Sequence, residues 1–299
     1  MKKLNELTYG IVGLGLMGGS IAKAIREYVL SKHGSTGRIL SSSRNLSSLK
    51  MAKDQNVIDE FYPLDKADDM LSQCDFVFVC LYPHMTVEFI VEHKNAFKSG
   101  SILTDINGVK AEIFDRMDEI RREDIDFIPG HPMAGREKEG YSFSSGDIFK
   151  NHNYILMPLK ETRKENIDLF KSLVTEIGFS RIVETDGRVH DHKIAFTSQL
   201  CHVLASCLVD SAENSDVTQF GGGSFEDLTR IAMINAPLWT ELFLANKNEL
   251  LSHIESFENS LTTLKNFIKN DDAQGCESYL ENVRTKRLEM SRIDVKNEN

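Results

Sequence analysis

Gly13, Gly15 and Gly18 stand at the spacing G-x-G-x-x-G, directly after the apolar run Tyr9-Gly10-Ile11-Val12 and directly before Ser20-Ile21-Ala22. In a strand–turn–helix corner this spacing cradles a pyrophosphate. The first glycine permits the tight turn, the second lets the backbone approach the phosphates, and the third lets helix and strand pack closely. The helix that follows offers unpaired N–H groups and the positive end of its dipole. Gly13, Gly15, Leu16, Met17 and Gly18 are therefore expected at a dinucleotide. A plain structural corner is the alternative reading, and the strand before and helix after favour the nucleotide.

The second strand, Arg38-Ile39-Leu40-Ser41-Ser42-Ser43, runs into Arg44-Asn45. An NAD-binding corner usually carries Asp or Glu here, bonded to the ribose 2′-hydroxyl. A carboxylate repels a 2′-phosphate, whereas serine and arginine bond and neutralise one. Ser43, Arg44 and Asn45 thus predict a preference for NADP, with NAD still possible. The bland alternative is that Arg44 is a solvated loop charge. Further on, 75–81 is a continuous apolar run, as in a strand buried on both faces of a parallel sheet. Residues just past such strand ends line the ligand crevice, and Leu81, Asp105 and Lys110 are expected among the cofactor's contacts. His84 fits either that edge or a surface loop.

His131 lies in Phe127-Ile128-Pro129-Gly130-His131-Pro132, read as a strand followed by a turn on the ligand edge. Imidazole titrates near neutral pH and suits proton abstraction from an alcohol during hydride transfer. Position alone leaves catalyst and turn-stabilising side chain equally open. Ser198, Gln199 and His202 share one helix face, where His202 is either a site residue or a core histidine bonded to a backbone carbonyl. Arg230 is either paired with Asp227 or a clamp for a planar carboxylate. Trp239, the only tryptophan, reads as packing. His190 and His192 flank Asp191 but diverge on a helix, and no required metal is expected.

These residues need a scaffold. Alternating strands and helices through residue 184 predict an α/β, Rossmann-like doubly wound sheet over 1–184. From 185 onward the pattern is helical, over 188–210, 225–233, 237–264 and 272–293, so 185–299 is expected to be an all-α domain. The polar tail 295–299 is expected to fray. The 299 residues carry a net charge of -10, which argues against nucleic acid and anionic membranes as partners. No apolar run is long enough to span a bilayer, and the start is not a secretory signal. Five cysteines without CxxC spacing suggest a cytoplasmic setting with no disulfide and no zinc.

Taken together, in order, the stretches around the glycine turn, Thr104-Asp105 to Val109-Lys110, His131-Pro132-Met133-Ala134-Gly135, Glu137, His190-Asp191, Ser198-Gln199-Leu200-Cys201-His202 and Gly221-Gly222-Gly223 to Ile231-Ala232 make the chain resemble the prephenate/arogenate dehydrogenase (TyrA) family. The likeness runs from about residue 9 to 287. It implies oxidative decarboxylation of prephenate to 4-hydroxyphenylpyruvate, or of arogenate to tyrosine. It also implies a helical dimerisation domain, a homodimer, and a cleft between the two domains. By the same resemblance His131 takes the ring hydroxyl's proton, Arg230 holds a substrate carboxylate, and His202 stands near the substrate. Glu137 is implied at the pocket mouth, and Asp227 and Trp239 in its wall.

Three positions depart from that pattern. The family's serine two places before the lysine is Gly108 here, and Asn107 is the candidate that replaces its bond. The first histidine of the helical motif is Gln199. Arg136 replaces a small polar residue and is a further candidate for a carboxylate or the 2′-phosphate. Two rival classes remain: a β-hydroxyacid dehydrogenase relative, for which Lys193 is a poor catalytic lysine, and a non-catalytic NADP-binding regulatory protein.

Overall fold

The computed structural model describes residues 3–296, and side chains through 291. Most of the tail 295–299 lies outside these residues. Strands β1 (Thr8–Val12), β2 (Arg38–Ser43), β3 (Glu60–Pro63), β4 (Phe76–Val79), β5 (Ile102–Asp105) and β6 (Asp126–Phe127) form one parallel sheet in the order β3-β2-β1-β4-β5-β6. Between them run α1 (Leu16–Ala24), α2 (Leu46–Asp54), α3 (Ala67–Leu71), α4 (Pro83–Glu92), α5 (Ala111–Asp115) and α6 (Met117–Ile120). The strand order reverses between β1 and β4, which opens a crevice at their carboxyl ends.

Side chains alternate across this sheet, as period two requires. Tyr9, Ile11, Phe76 and Phe78 enter one apolar layer with Ile21 of α1, while Val12, Val77 and Val79 enter the other with Ile90 of α4 and Ile113 of α5. Both faces are thus covered, which explains the unbroken apolar run of β4.

The strands beyond β6 leave the parallel sheet. β7 (Gly130–Pro132), β8 (Asn153–Leu156) and β9 (Arg181–Glu184) form a separate sheet, with β7 antiparallel and β9 parallel to β8. His131 therefore sits inside a strand, opposite Ile155, and not in a turn. Pro132 explains the short strand: proline cannot donate to a ladder and is confined to edges. Helix α7 (Lys164–Glu176) precedes β9 and contributes Phe170, Leu173 and Val174 to the layer beneath Tyr9 and Phe76.

The rest of the described chain contains no strand: α8 (Gly187–Ile194), α9 (Leu200–Asp210), α10 (Gly223–Thr229), α11 (Ala236–Ala245), α12 (Lys247–Lys269) and α13 (Ala273–Lys296). A π-helical segment, Ala195–Gln199, joins α8 to α9. The single helix expected over 237–264 is broken at Asn246, whose buried side chain bonds the Asp191 carbonyl at 2.9 Å and Gln199 Oε1 at 2.8 Å. The chain resolves into two compact units, 1–247 and 248–299. In the second, Phe267 and Tyr279 pack with ring centroids 6.2 Å apart across the turn between α12 and α13.

The glycine turn yields a stability test. A Cβ on Gly18 would lie 2.0 Å from the Gly13 carbonyl oxygen, whereas one on Gly15 would meet no atom within 4 Å. Gly18→Ala is expected to cost about 2 kcal/mol or more, and Gly15→Ala less than about 0.5 kcal/mol, as measured by urea unfolding.

Candidate active site

The glycine corner has the shape its spacing demands. Gly13 adopts φ +86°, and a Cβ there would meet the Cys80 carbonyl at 2.4 Å. Gly15 faces open space and leads into the amino end of α1, which has no side-chain cap. An open backbone at an uncapped helix start, on the crevice side of β1 and β4, fits a pyrophosphate. Leu16 and Met17, half-buried, open the helix, and Leu81 packs beside Gly13.

At the end of β2, the Ser43 hydroxyl accepts the Asn45 amide at 3.4 Å. The Asn45 side chain caps α2, accepting from the amides of Ser47 and Ser48, each at 3.1 Å. Its carbonyl oxygen is therefore engaged in the fold. Arg44 is exposed between them. His84 is exposed on α4, 3.1 Å from Glu112, which raises its pKa.

Asp105 and Lys110, expected at the cofactor, are wholly buried and form an ion pair. The Lys110 ammonium also donates to the Gly130 carbonyl at 2.6 Å. Asp105 accepts the amides of Asn107 at 2.9 Å and Gly130 at 3.3 Å. The two charges thus bind β5 to β7, behind the strand ends. Burial lowers the Lys110 pKa against the opposing pull of Asp105.

His131 Nδ1 lies 2.9 Å from Nε2 of His190, and His190 Nδ1 lies 2.7 Å from Asp191. Asp191 accepts the Lys110 amide at 2.9 and 3.1 Å through its two oxygens. Reading along the sequence missed this contact, because it joins residues 59 positions apart. The one signal is a histidine and an aspartate on the inward face of an amphipathic helix with Ile194. The outer nitrogen of His131, Nε2, points towards Gly108: a Cβ there would stand 3.7 Å from it and 3.5 Å from Leu242. Burial, then the neighbouring His190 and Lys110, hold the His131 pKa well below its ordinary value. Burial and Lys110 push His190 down to about 3.

Asn107 is buried beside this space. Its side-chain oxygen is 3.5 Å from the Thr86 hydroxyl, and its amide Nδ2 has no hydrogen-bond partner among the described residues. A buried unsatisfied donor is costly and invites a ligand atom.

A second group lines the adjoining helices. Arg230 pairs with Glu137, not with Asp227, which is exposed one turn earlier on α10. The His202 ring stacks on Trp239 with centroids 3.5 Å apart, and its Nδ1 lies 3.0 Å from the Ser198 carbonyl. That bond is the one expected of a core histidine, and it leaves Nε2 unprotonated in the neutral ring. Burial lowers the His202 pKa, and the charges of Glu137 and Arg230 both reach it. Gln199 donates to the Leu242 carbonyl at 2.7 Å. His202 and Trp239 are each three residues, about one turn, from that bonded pair, and Leu242 also borders Gly108. His131 is thus linked through Gly108 and Leu242 to the turns that carry His202 and Trp239, and the Arg230 charge reaches His202. Arg136 is exposed beyond β7.

Fold and glycine corner define a dinucleotide-binding α/β protein with a helical region appended. Residues 21–183 match the family model "Prephenate dehydrogenase, nucleotide-binding domain", and residues 186–282 match "Prephenate dehydrogenase, dimerization domain". The crystal structure of prephenate dehydrogenase from Aquifex aeolicus, in complex with hydroxyphenyl propionate and NAD+, is 31% identical with a TM-score of 0.84, covering 97% of this chain and 100% of that one. The prephenate dehydrogenase of Lactococcus lactis is 31% identical over 91% of this chain and 74% of its own length. The cyclohexadienyl dehydrogenase of Zymomonas mobilis is 27% identical over 93% of this chain and 94% of its own length. The chain belongs to the prephenate dehydrogenase family.

The buried His190 and the half-buried His131 make stability depend on pH. In the folded chain both are held neutral, whereas an unfolded histidine takes a proton below about pH 6.5. The unfolded state then binds more protons, so stability falls as pH drops below about 6.5. For His190 the window runs down to about 3. Each histidine contributes a slope of up to about 1.4 kcal/mol per pH unit. His190→Gln is expected to remove one such slope, measured as a smaller loss of urea stability between pH 7 and pH 5 than in the parent.

Proposed function

We propose that this protein oxidatively decarboxylates prephenate to 4-hydroxyphenylpyruvate, with NADP preferred over NAD. The observation that carries the reading is His131: one ring nitrogen is tied to His190, and the other faces the space at Gly108, beside the dinucleotide crevice. A nicotinamide held at the glycine corner would supply the hydride acceptor for oxidation of the ring carbon that bears the hydroxyl. His131 Nε2 takes the hydroxyl proton as that carbon is oxidised. The bond to the ring carboxylate then breaks, carbon dioxide leaves, and the electron pair passes into the ring and aromatises it. The former hydroxyl oxygen takes a proton back and becomes the phenol.

Arg230 holds a substrate carboxylate in this reading, with Glu137 as the partner it pairs with in the ligand-free chain. His202, Trp239 and Asp227 form the wall, and Arg136 lies at the rim. Asn107 donates to substrate or cofactor through its unpartnered Nδ2. Ser43 and Arg44 receive the 2′-phosphate, while Gly13, Gly15, Leu16, Met17, Gly18 and Leu81 cradle the pyrophosphate and its flanks. Asp105 and Lys110 contribute through the backbone they fix. The Aquifex complex holds NAD+; here the exposed Arg44 after a strand without a terminal carboxylate supports NADP. Arogenate is the second reading, supported by the likeness to a cyclohexadienyl dehydrogenase over most of its length.

The domain boundary near 184/185 belongs to the same proposal, supported by family models that meet between 183 and 186. So does a homodimer, supported by the dimerisation model and by large apolar side chains left exposed, among them Phe220 at 90% and Met233 at 68%. The dispersed cysteines are in keeping with a cytoplasmic setting. No described helix is long and apolar enough to cross a membrane.

Turnover with prephenate and arogenate, each with NAD and NADP, tests the reading. Prephenate with NADP is expected to give the highest kcat/KM. Arg44→Ala should raise the KM for NADP about tenfold or more while leaving that for NAD within about twofold. Turnover of neither substrate overturns the assignment. Separately, Asn107→Ala is expected to lower kcat by about 10²-fold, as for a donor used in the transition state; an unchanged rate removes Asn107 from the site.

A further inference from the structure

We propose that His190 and Asp191 are positioning residues that hold His131 in a single tautomer, with the proton on Nδ1 and the lone pair on Nε2 aimed at the reacting hydroxyl. This rests on the reading of His131 as the base.

The assignment follows from which atoms can donate. A carboxylate only accepts, so the 2.7 Å contact between Asp191 and His190 Nδ1 requires a proton on that nitrogen. A neutral imidazole carries one proton, so His190 Nε2 must then be an acceptor. The 2.9 Å contact from His190 Nε2 to His131 Nδ1 is therefore filled by a proton on His131. His131 is neutral in turn, and its only remaining lone pair is on Nε2, facing Gly108. The burial of His190, at 2% exposed, and its depressed pKa keep the middle ring neutral over the working range. A second proton on His190 would set two donors face to face at the His131 contact, whereas a second proton on His131 would occupy the Nε2 lone pair itself.

The relay is anchored at its far end. Asp191 accepts the Lys110 main-chain amide through both oxygens, and its own carbonyl accepts from Asn246. Lys110 in turn grips the carbonyl of Gly130, the residue before His131. Base and relay are thus held by one lysine, through its amide on one side and its ammonium on the other. The logic is that of an acid that orients a histidine, with a second imidazole interposed. Gly108 makes it consequential: with no side chain at that position, nothing there dictates the tautomer from the Nε2 side.

Two measurements test the proposal. In the ligand-free protein, long-range ¹H–¹⁵N spectra of labelled histidine are expected to place the His131 proton on Nδ1; an Nε2-protonated ring overturns the relay. His190→Phe, which fills the space without an acceptor, should lower kcat by about 10²-fold or more with KM within about threefold, and should mix the His131 tautomers. His190→Gln, whose amide oxygen still accepts from Nδ1, should retain kcat within about tenfold of the parent. Asp191→Asn, which removes the charge and leaves both rings, is the second variant should His190→Phe not fold, with kcat expected to fall at least about tenfold. If His190→Phe and Asp191→Asn keep kcat within about threefold, or lose only unfolding stability while the tautomer persists, the role is merely structural and the proposal falls. Because the spectra need no substrate, failure to turn over prephenate or arogenate sinks the functional reading without deciding the tautomer.

Discussion

A lysine and an aspartate sealed from solvent hold the candidate site together. Lys110 and Asp105 are both fully buried, and each charge costs several kcal/mol to bring out of water. That cost is offset only because every pole finds a partner: the Gly130 carbonyl, the Gly130 amide and the Asn107 amide complete the set. Removing one partner of such a pair costs about 3–5 kcal/mol, since the other is stranded. The pair does more than stabilise. It fastens the end of β5, in the parallel sheet, to the start of β7, in the small mixed sheet, and so fixes where His131 stands relative to the crevice.

This division of labour explains the two sheets. The parallel sheet supplies the nucleotide-type corner, with both faces buried and its strand ends open. The smaller sheet carries the imidazole, and α8, the π-helical segment and α9 carry the groups around it. A π-helical segment shifts the phase of a helix within one turn. Here it lies between His190, which faces His131, and His202, which faces Trp239. One nearly continuous helix thereby presents two histidines to two different neighbours.

The parts legible in the sequence are those encoded locally. The glycine corner is written in three residues and their flanks, and the buried strands in their apolar runs. Of the small sheet, β8 and β9 belong to the strand pattern that runs to residue 184, but β7 does not, because a three-residue strand ending in proline has no period to detect, and no local signal says that these strands leave the parallel sheet. Glu60–Pro63 escapes for the same reason: it is short, half-exposed and on an edge. Asn246 reads as an ordinary helix residue until its amide is seen bridging Asp191 and Gln199. Likewise Glu137 and Arg230 are 93 residues apart, so spacing offers Asp227 as the partner and the fold supplies another.

Asn246 also has a mechanical consequence. Its amide grips α8 and Gln199, and Gln199 grips the last turn of α11, closing a short ring of polar bonds between the two helices. Such a ring works as a cross-brace: α11, which carries Trp239, and α8, which carries His190, share load and move as one piece. A bulky group forced against either helix therefore displaces both, so the room beside His190 and Trp239 is set by the stiffness of the brace as much as by the side chains that line it.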